Sequence, residues 1–128
     1  MAGAIDIHTH AFPDHVAVNA IPTLEKEGGI KAYLNGTVAA LLASMDRAGI
    51  EQSVLCSIAT RPEHFEPILA WSKAIRSERI EPFPSLHPED PYLLDHLQQL
   101  QADRVGEVAV DHVAAGDAGI AAALALQH

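Results

Sequence analysis

Basic residues are scarce in this chain, which has 8 Lys and Arg against 17 Asp and Glu and a formal net charge of −9. Binding to a phosphate backbone requires clustered Lys and Arg, and the sequence contains no such cluster. It also lacks any apolar run of the roughly 18 residues that a membrane span needs. We therefore predict that neither nucleic acid nor a membrane is a partner.

Cysteine is nearly absent as well, because Cys56 is the only one. A single cysteine excludes an internal disulfide, and the N-terminus has neither the basic nor the apolar region of a signal peptide. These features predict a cytoplasmic protein. The 128 residues, 48% of them hydrophobic, are enough for one domain with its own core, so we predict a single domain over residues 1–128.

Hydrophobic patterning predicts strands that alternate with helices. This order favours parallel strands joined by right-handed crossovers, either as an open sheet or as an arc of a barrel. The stretch 11–36 contains Pro13, Pro22 and the pair Gly28-Gly29, and it is predicted as a long loop with one short helix at 23–27. Strands are predicted at 4–10, 53–58, 80–86 and 105–113, and helices at 37–48, 63–77, 91–100 and 117–127.

The residues with the clearest chemistry lie in the first predicted strand. His8 and His10 are two residues apart, so an extended strand places them on one face about 6.6 Å apart. Two imidazoles at that spacing can converge on one metal ion. Asp6 is expected on the same face, where it could orient a ligand histidine or contact the metal. The pair precedes a long loop, which is where α/β enzymes place their sites.

Three segments resemble one known family. They are residues 5–13 (IDIHTHAFP), residues 45–50 (MDRAGI) leading into Val54 and Leu55, and residues 83–88 (FPSLHP). In this order and spacing, over about residues 4–97, they resemble the amidohydrolase-related metal-dependent hydrolases and decarboxylases. The resemblance implies a TIM-type (β/α)₈ barrel and a divalent metal, usually zinc. It also implies that His8 and His10 are the first two metal ligands.

The chain departs from that family in its length and in its C-terminal part. A barrel of this type needs about 250 residues, so 128 residues hold roughly the first four β/α units, an incomplete barrel. The further ligands and the catalytic Asp of the family follow later strands. Beyond about residue 102 the family pattern is lost, as expected for a truncated chain, a frameshifted reading or a degenerate relative.

Other histidines are candidates for completing the site or for plain surface roles. His87 and the pair Asp111-His112 follow predicted strands and could face the same mouth as His8 and His10. The alternative is a loop histidine and a capping aspartate. His64 and His96 are predicted to be solvated on helix surfaces, and Cys56 is predicted to be a small buried residue rather than a nucleophile.

The sequence leaves two functions open. In the first, the chain is a metal-dependent amidohydrolase-like hydrolase or non-oxidative decarboxylase that acts on a small organic acid, amide, ester or lactone. Within this class, a phosphoesterase of the polymerase-and-histidinol-phosphatase type is a lesser alternative. In the second, the chain is a non-catalytic fragment or pseudoenzyme. A homodimer that restores eight strands is an alternative assembly.

Overall fold

A computed structural model of the protein describes residues 3–106. Most of the strand predicted at 105–113 and the whole helix predicted at 117–127 lie outside the described residues. The fold is mixed α/β, as the sequence predicts, with a parallel sheet in the order β1-β2-β3. The elements are β1 (Ala4–Thr9), α1 (Asp14–Gly28), α2 (Val38–Ala48), β2 (Ile50–Cys56), a 3₁₀ turn (Pro62–His64), α3 (Phe65–Ile75), β3 (Ile80–Phe83) and α4 (Leu93–Asp103).

Helix α1 corrects the prediction of a long loop between residues 11 and 36. Pro22 lies inside this 15-residue helix, where it removes one N–H donor but leaves the remaining helical bonds intact. Both ends carry ordinary signals, because Asp14 stands in the first turn and Gly29 ends the helix in the left-handed conformation at φ 60°. The end signals of α1 therefore outweigh the helix-breaking tendency of Pro22.

Helix α2 confirms the helix predicted at 37–48, with Thr37 as its N-terminal cap. Thr37 Oγ1 accepts a hydrogen bond from the Ala40 N–H at 3.2 Å, which satisfies one of the free donors of the first turn. Gly49 has φ 68° and donates its N–H to the Met45 carbonyl, so the chain leaves the helix and enters β2 at once. This short connection fixes where β2 begins relative to α2.

The core lies on both faces of the central strand β2. Leu55 packs with Ala11, Met45 and Ile80 in one cluster that the apolar stripes of α2 and α3 cover. Because side chains alternate along a strand, Val54 and Cys56 face the other way and pack with Phe83. A third cluster lies around α3 and α4 and contains Phe65, Leu69, Leu86, Leu100 and Val105.

The start of β2 and the start of β3 are tied together by Arg79. Its Nη2 donates to the Ile50 carbonyl oxygen at 3.1 Å, and its Nε–H donates to the Glu51 carbonyl oxygen at 2.7 Å. Nη2 also pairs with Asp46 at 2.9 Å. Asp46 belongs to the segment 45–50 that supports the family resemblance. Its contacts give it a structural role at the amino ends of the strands, away from the ends where His10 and Cys56 lie.

Strand β1 lies at the edge of the described sheet and is unusually exposed for a parallel strand. Ile5 and Ile7 are 58% and 76% exposed. Asp6 pairs with Ser53 and Thr9 with Leu55, so three steps along β1 match two steps along β2. One extra residue is therefore accommodated in β1, as in a β-bulge. The regular alternation predicted for residues 4–10 does not hold across this point.

Candidate functional site

His8 and His10 converge at the carboxyl end of β1. Their Nε2 atoms lie 3.0 Å apart, and the two rings meet edge to face with centroids 4.9 Å apart. The spacing is shorter than the 6.6 Å strand repeat between the residues because both rings turn toward each other. Both side chains are exposed, so the pair is open to an ion from solvent.

The protonation of this pair follows from the partner of His10. Its Nδ1 lies 2.9 Å from the Cys56 carbonyl oxygen, which can only accept a hydrogen bond. Nδ1 therefore carries the proton, and Nε2 of a neutral His10 holds a lone pair. In the absence of a metal, His8 Nε2–H then donates to His10 Nε2. The bond to β2 also fixes the plane of the His10 ring.

Asp6 does not take the role that the sequence suggested for it. Its Oδ1 accepts a hydrogen bond from the His8 backbone N–H at 3.1 Å. This local bond spans the irregular part of β1 and uses one carboxylate oxygen on the backbone. Asp6 thereby holds the bend of the strand that brings His8 toward His10, and the structure gives no contact between its carboxylate and either imidazole.

The remaining candidates do not join the pair within the described residues. Across residues 3–106, no group of three or more His, Cys, Asp or Glu side chains is arranged to hold a metal ion. His87 is half-buried and its Nδ1 accepts from the Glu89 N–H at 3.2 Å. Asp111 and His112 lie outside the described residues. Among the described candidates, the structure thus brings His8 and His10 together and leaves His87 apart.

Cys56 is buried, as predicted, and burial raises the pKa of its thiol. The prediction is therefore confirmed in its structural part, since a buried thiol with a raised pKa is a poor nucleophile. The backbone of Cys56 matters more to the site than its side chain does, because its carbonyl orients His10. Sequence patterns could not show this, because any residue at position 56 offers the same carbonyl.

His96 was predicted to be solvated, and the structure shows that this is wrong. The His96 side chain is only 17% exposed and stacks on Phe65 with ring centroids 3.9 Å apart. Its Nδ1 lies 2.6 Å from Asp90 Oδ2, while Asp90 Oδ1 accepts from the Tyr92 N–H at 2.8 Å. The two residues form a buried polar pair between the start of α3 and α4.

The Asp90 carboxyl is held in its charged form by these contacts. Burial alone would raise its pKa, but the hydrogen bonds from His96 and Tyr92 and the nearby His96 and His87 outweigh burial and lower the pKa below 3.8. The unfolded chain therefore binds a proton at a higher pH than the native protein does. The stabilisation is complete above about pH 5 and is lost progressively as the pH falls through the native pKa.

The Asp90→Asn variant tests this pair. We expect it to lower the free energy of unfolding by about 1–3 kcal/mol at pH 6, because it removes the charged acceptor from buried His96. The deficit should shrink as the pH falls below about 4. Urea unfolding at pH 6, 4 and 3 measures both effects. Asp95→Asn, on the exposed face of α4, is the control and should stay within about 0.5 kcal/mol; equal losses in the two variants would contradict the assignment.

A groove is lined in part by the segment that follows the histidine pair. Its volume is about 860 Å³, and it lies between α1, α3 and the segments that directly follow β1 and β2. Phe12 and Pro13 come just after His10, and Ser57 and Ile58 come just after Cys56. His64, predicted to be solvated, is half-buried and lines this groove, where its Nδ1 lies 3.4 Å from Thr60 Oγ1. The sequence does not predict this groove, because α1 forms one of its walls and most of that segment is predicted as a loop.

Comparisons with protein-family models, with curated proteins and with solved structures found no match to this chain. In residues 3–106, every helix is too short or too polar to cross a membrane. The predicted cytoplasmic location and the family resemblance stay predictions. Any function assigned to the chain must therefore be supported by the geometry of the site itself.

Proposed function

We propose that the chain is a metal-dependent hydrolase or decarboxylase of the amidohydrolase type, in which His8 and His10 hold one divalent ion, zinc in the first instance. The observation that carries the proposal is the 3.0 Å separation of the two Nε2 atoms. Two nitrogens that each lie about 2.0–2.1 Å from one zinc ion are roughly 2.9–3.4 Å apart. The pair therefore fits a shared ion with little movement of either ring.

The chain's own contacts support the ligand role of His10 in particular. A histidine that ligates metal usually donates its second ring N–H to a carbonyl or carboxylate, which fixes the tautomer. His10 does so through Nδ1 to the Cys56 carbonyl, and its Nε2 lone pair faces His8. His8 must give up its Nε2 proton to join the ion, so binding releases a proton or shifts the His8 tautomer.

The order of the elements and the parallel pairing of the strands are consistent with this proposal. We propose that the three parallel strands are the first strands of an incomplete (β/α)₈ barrel, with the histidine pair at the carboxyl ends where such folds place their sites. A bound divalent ion would polarise a carbonyl or carboxylate oxygen of the substrate and acidify a water molecule. The substrate would be a small organic acid, amide, ester or lactone.

Two histidines are too few for a complete catalytic site, which usually has three protein ligands. Residues 3–106 offer no third side chain at the pair. The remaining ligands would therefore come from residues beyond 106 or from a second copy of the chain. Asp111 and His112 are the candidates within the chain. If neither source supplies a ligand, the chain is a non-catalytic relative that retains half of the site.

Metal content tests the proposal directly. We expect tag-free protein, purified without chelator and dialysed against equimolar zinc, to retain close to one ion per chain, or one per two chains in a dimer. The His8→Ala/His10→Ala variant should retain none, because both nitrogens of the pair are gone. Plasma mass spectrometry measures the stoichiometry, and light scattering gives the assembly.

A matched variant controls for the general loss of histidine. His15→Ala/His64→Ala also removes two accessible histidines, but these do not form a close pair, so its zinc content should equal that of the parent protein. Zinc lost equally from both variants would show nonspecific binding to surface histidines. Protein that folds but carries no zinc would overturn the enzyme proposal for this chain.

A further inference from the structure

The groove between α1 and α3 has the size and the chemistry of a small-molecule site. Its volume of about 860 Å³ falls within the range of about 300–1,000 Å³ that is usual for ligand pockets. Most of its lining is apolar and includes the large side chains of Phe12, Ile68 and Trp71. A groove that leaves such side chains open to solvent gains free energy when an apolar ligand covers them.

The charge of the lining excludes most anionic ligands. Among the described residues that line the groove, Glu27 is the only Asp or Glu, none is Lys or Arg, and the other titratable side chains are His15 and His64. An acidic or phosphorylated group would enter next to a carboxylate and without a Lys or Arg counterion, which is costly in a partly desolvated site. The complementary ligand therefore has no charge on the part that enters the groove.

Polar atoms in the lining could orient such a ligand. Ser57 lines the groove directly after β2, and its Oγ is fully buried with no hydrogen-bond partner in the described part of the chain. Thr60 Oγ1 and His64 Nδ1 lie 3.4 Å apart at the start of α3. A buried hydroxyl without a partner is unusual, and a ligand atom or a water molecule can satisfy it. These groups suit a ligand with one or two neutral hydrogen-bonding atoms.

We propose that this groove binds an uncharged aromatic group. This group is the aromatic part of the substrate on which the histidine pair acts. Residues that directly follow His10 and Cys56 line the groove, whereas His8 and His10 do not, so the part of the substrate outside the groove would have to reach the pair. The assignment as substrate rests on the proposed function. Binding of an uncharged aromatic molecule by the groove does not, because it requires no metal.

Trp71 makes the groove measurable, since it is the only tryptophan in the chain and it lines the groove. The probe is N-phenyl-1-naphthylamine, an uncharged aromatic fluorophore that can accept energy from tryptophan. We expect saturable binding to metal-free protein, with quenching of Trp71 and sensitised probe emission. The sulfonated analogue 8-anilinonaphthalene-1-sulfonate has the same rings plus one negative charge, and it should bind at least about tenfold more weakly.

Two variants on the same helix localise the probe. Ala20 lines the groove, so Ala20→Phe fills part of it and should weaken probe binding by about tenfold or more. Val18 is 71% exposed and does not line the groove, so Val18→Phe introduces the same ring on α1 and should change affinity by less than about twofold. Circular dichroism confirms that each variant is folded.

A second groove variant keeps the test decisive if Ala20→Phe fails to fold. Asn19 is exposed and lines the groove, so Asn19→Phe obstructs it without disturbing the core, and a similar loss of affinity is expected. Equal probe binding in parent protein and groove variants, or equal binding of the charged analogue, would overturn the proposal. Zinc retained by protein that does not bind the probe would leave the metal centre intact and refute the groove alone.

Discussion

Replacement of Phe65 by alanine is expected to lower the free energy of unfolding by about 3–5 kcal/mol. Phe65 is 1% exposed and opens α3 at the centre of the cluster with Leu69, Leu86 and Leu100. Truncation leaves a cavity that these side chains cannot close, because they belong to separate elements. It also removes the ring on which His96 stacks at 3.9 Å.

Urea unfolding of three variants measures this effect. Phe65→Leu retains most of the apolar volume, so its loss should be about 1.5 kcal/mol or less. Tyr33→Ala removes an aromatic ring that is 88% exposed and should cost no more than about 0.5 kcal/mol. A loss below about 1 kcal/mol for Phe65→Ala would show that Phe65 is not central to this core.

Replacement of His10 by alanine is expected to weaken zinc binding by about a hundredfold or more, or roughly 3 kcal/mol. In the proposed metal site, His10 would be the ligand whose ring is already oriented, since its Nδ1–H donates to the Cys56 carbonyl at 2.9 Å. An oriented ligand loses less rotational freedom on binding and therefore contributes more to affinity. Within the described residues, the ring nitrogens of His8 contact only His10, so His8→Ala should cost less than His10→Ala.

Competition with a chromophoric zinc chelator gives the dissociation constants of the two variants. His15→Ala removes an exposed histidine of the groove and should match the parent protein. Equal losses for His8→Ala and His10→Ala would contradict orientation by the Cys56 carbonyl. Unchanged affinity in both variants would contradict the metal centre itself.

The features that the sequence predicts well are those with local physical causes. Helix α2 follows from Thr37 as cap, the apolar stripe and Gly49, all within a few residues of one another. The pairing of His8 with His10 follows from their separation by one residue. Strand β3 forms within the predicted range 80–86 despite Pro82, because β3 lies at the edge of the described sheet, where a missing N–H is tolerated.

The features that the sequence could not predict depend on distant contacts. Burial of His96 requires Phe65 and Asp90, which lie on other segments. The helical period places position 96 on the same face as Leu93 and Leu100, but it does not show which residues cover the imidazole. The orientation of His10 depends on a backbone carbonyl 46 residues away. The groove requires α1, and the sequence does not predict the full length of α1 because Pro22 has a low helix propensity. Tertiary packing decided each of these cases.

The irregular register of β1 has a consequence for the behaviour of the protein at high concentration. An exposed edge strand with two bare isoleucines is ordinarily a template on which strands of other molecules add. Here the extra residue between Asp6 and Thr9 offsets the ladder, and Asp6 occupies the His8 N–H that an incoming strand would use. The distortion that brings the two imidazoles together thus also makes β1 a poor seed for intermolecular sheet growth.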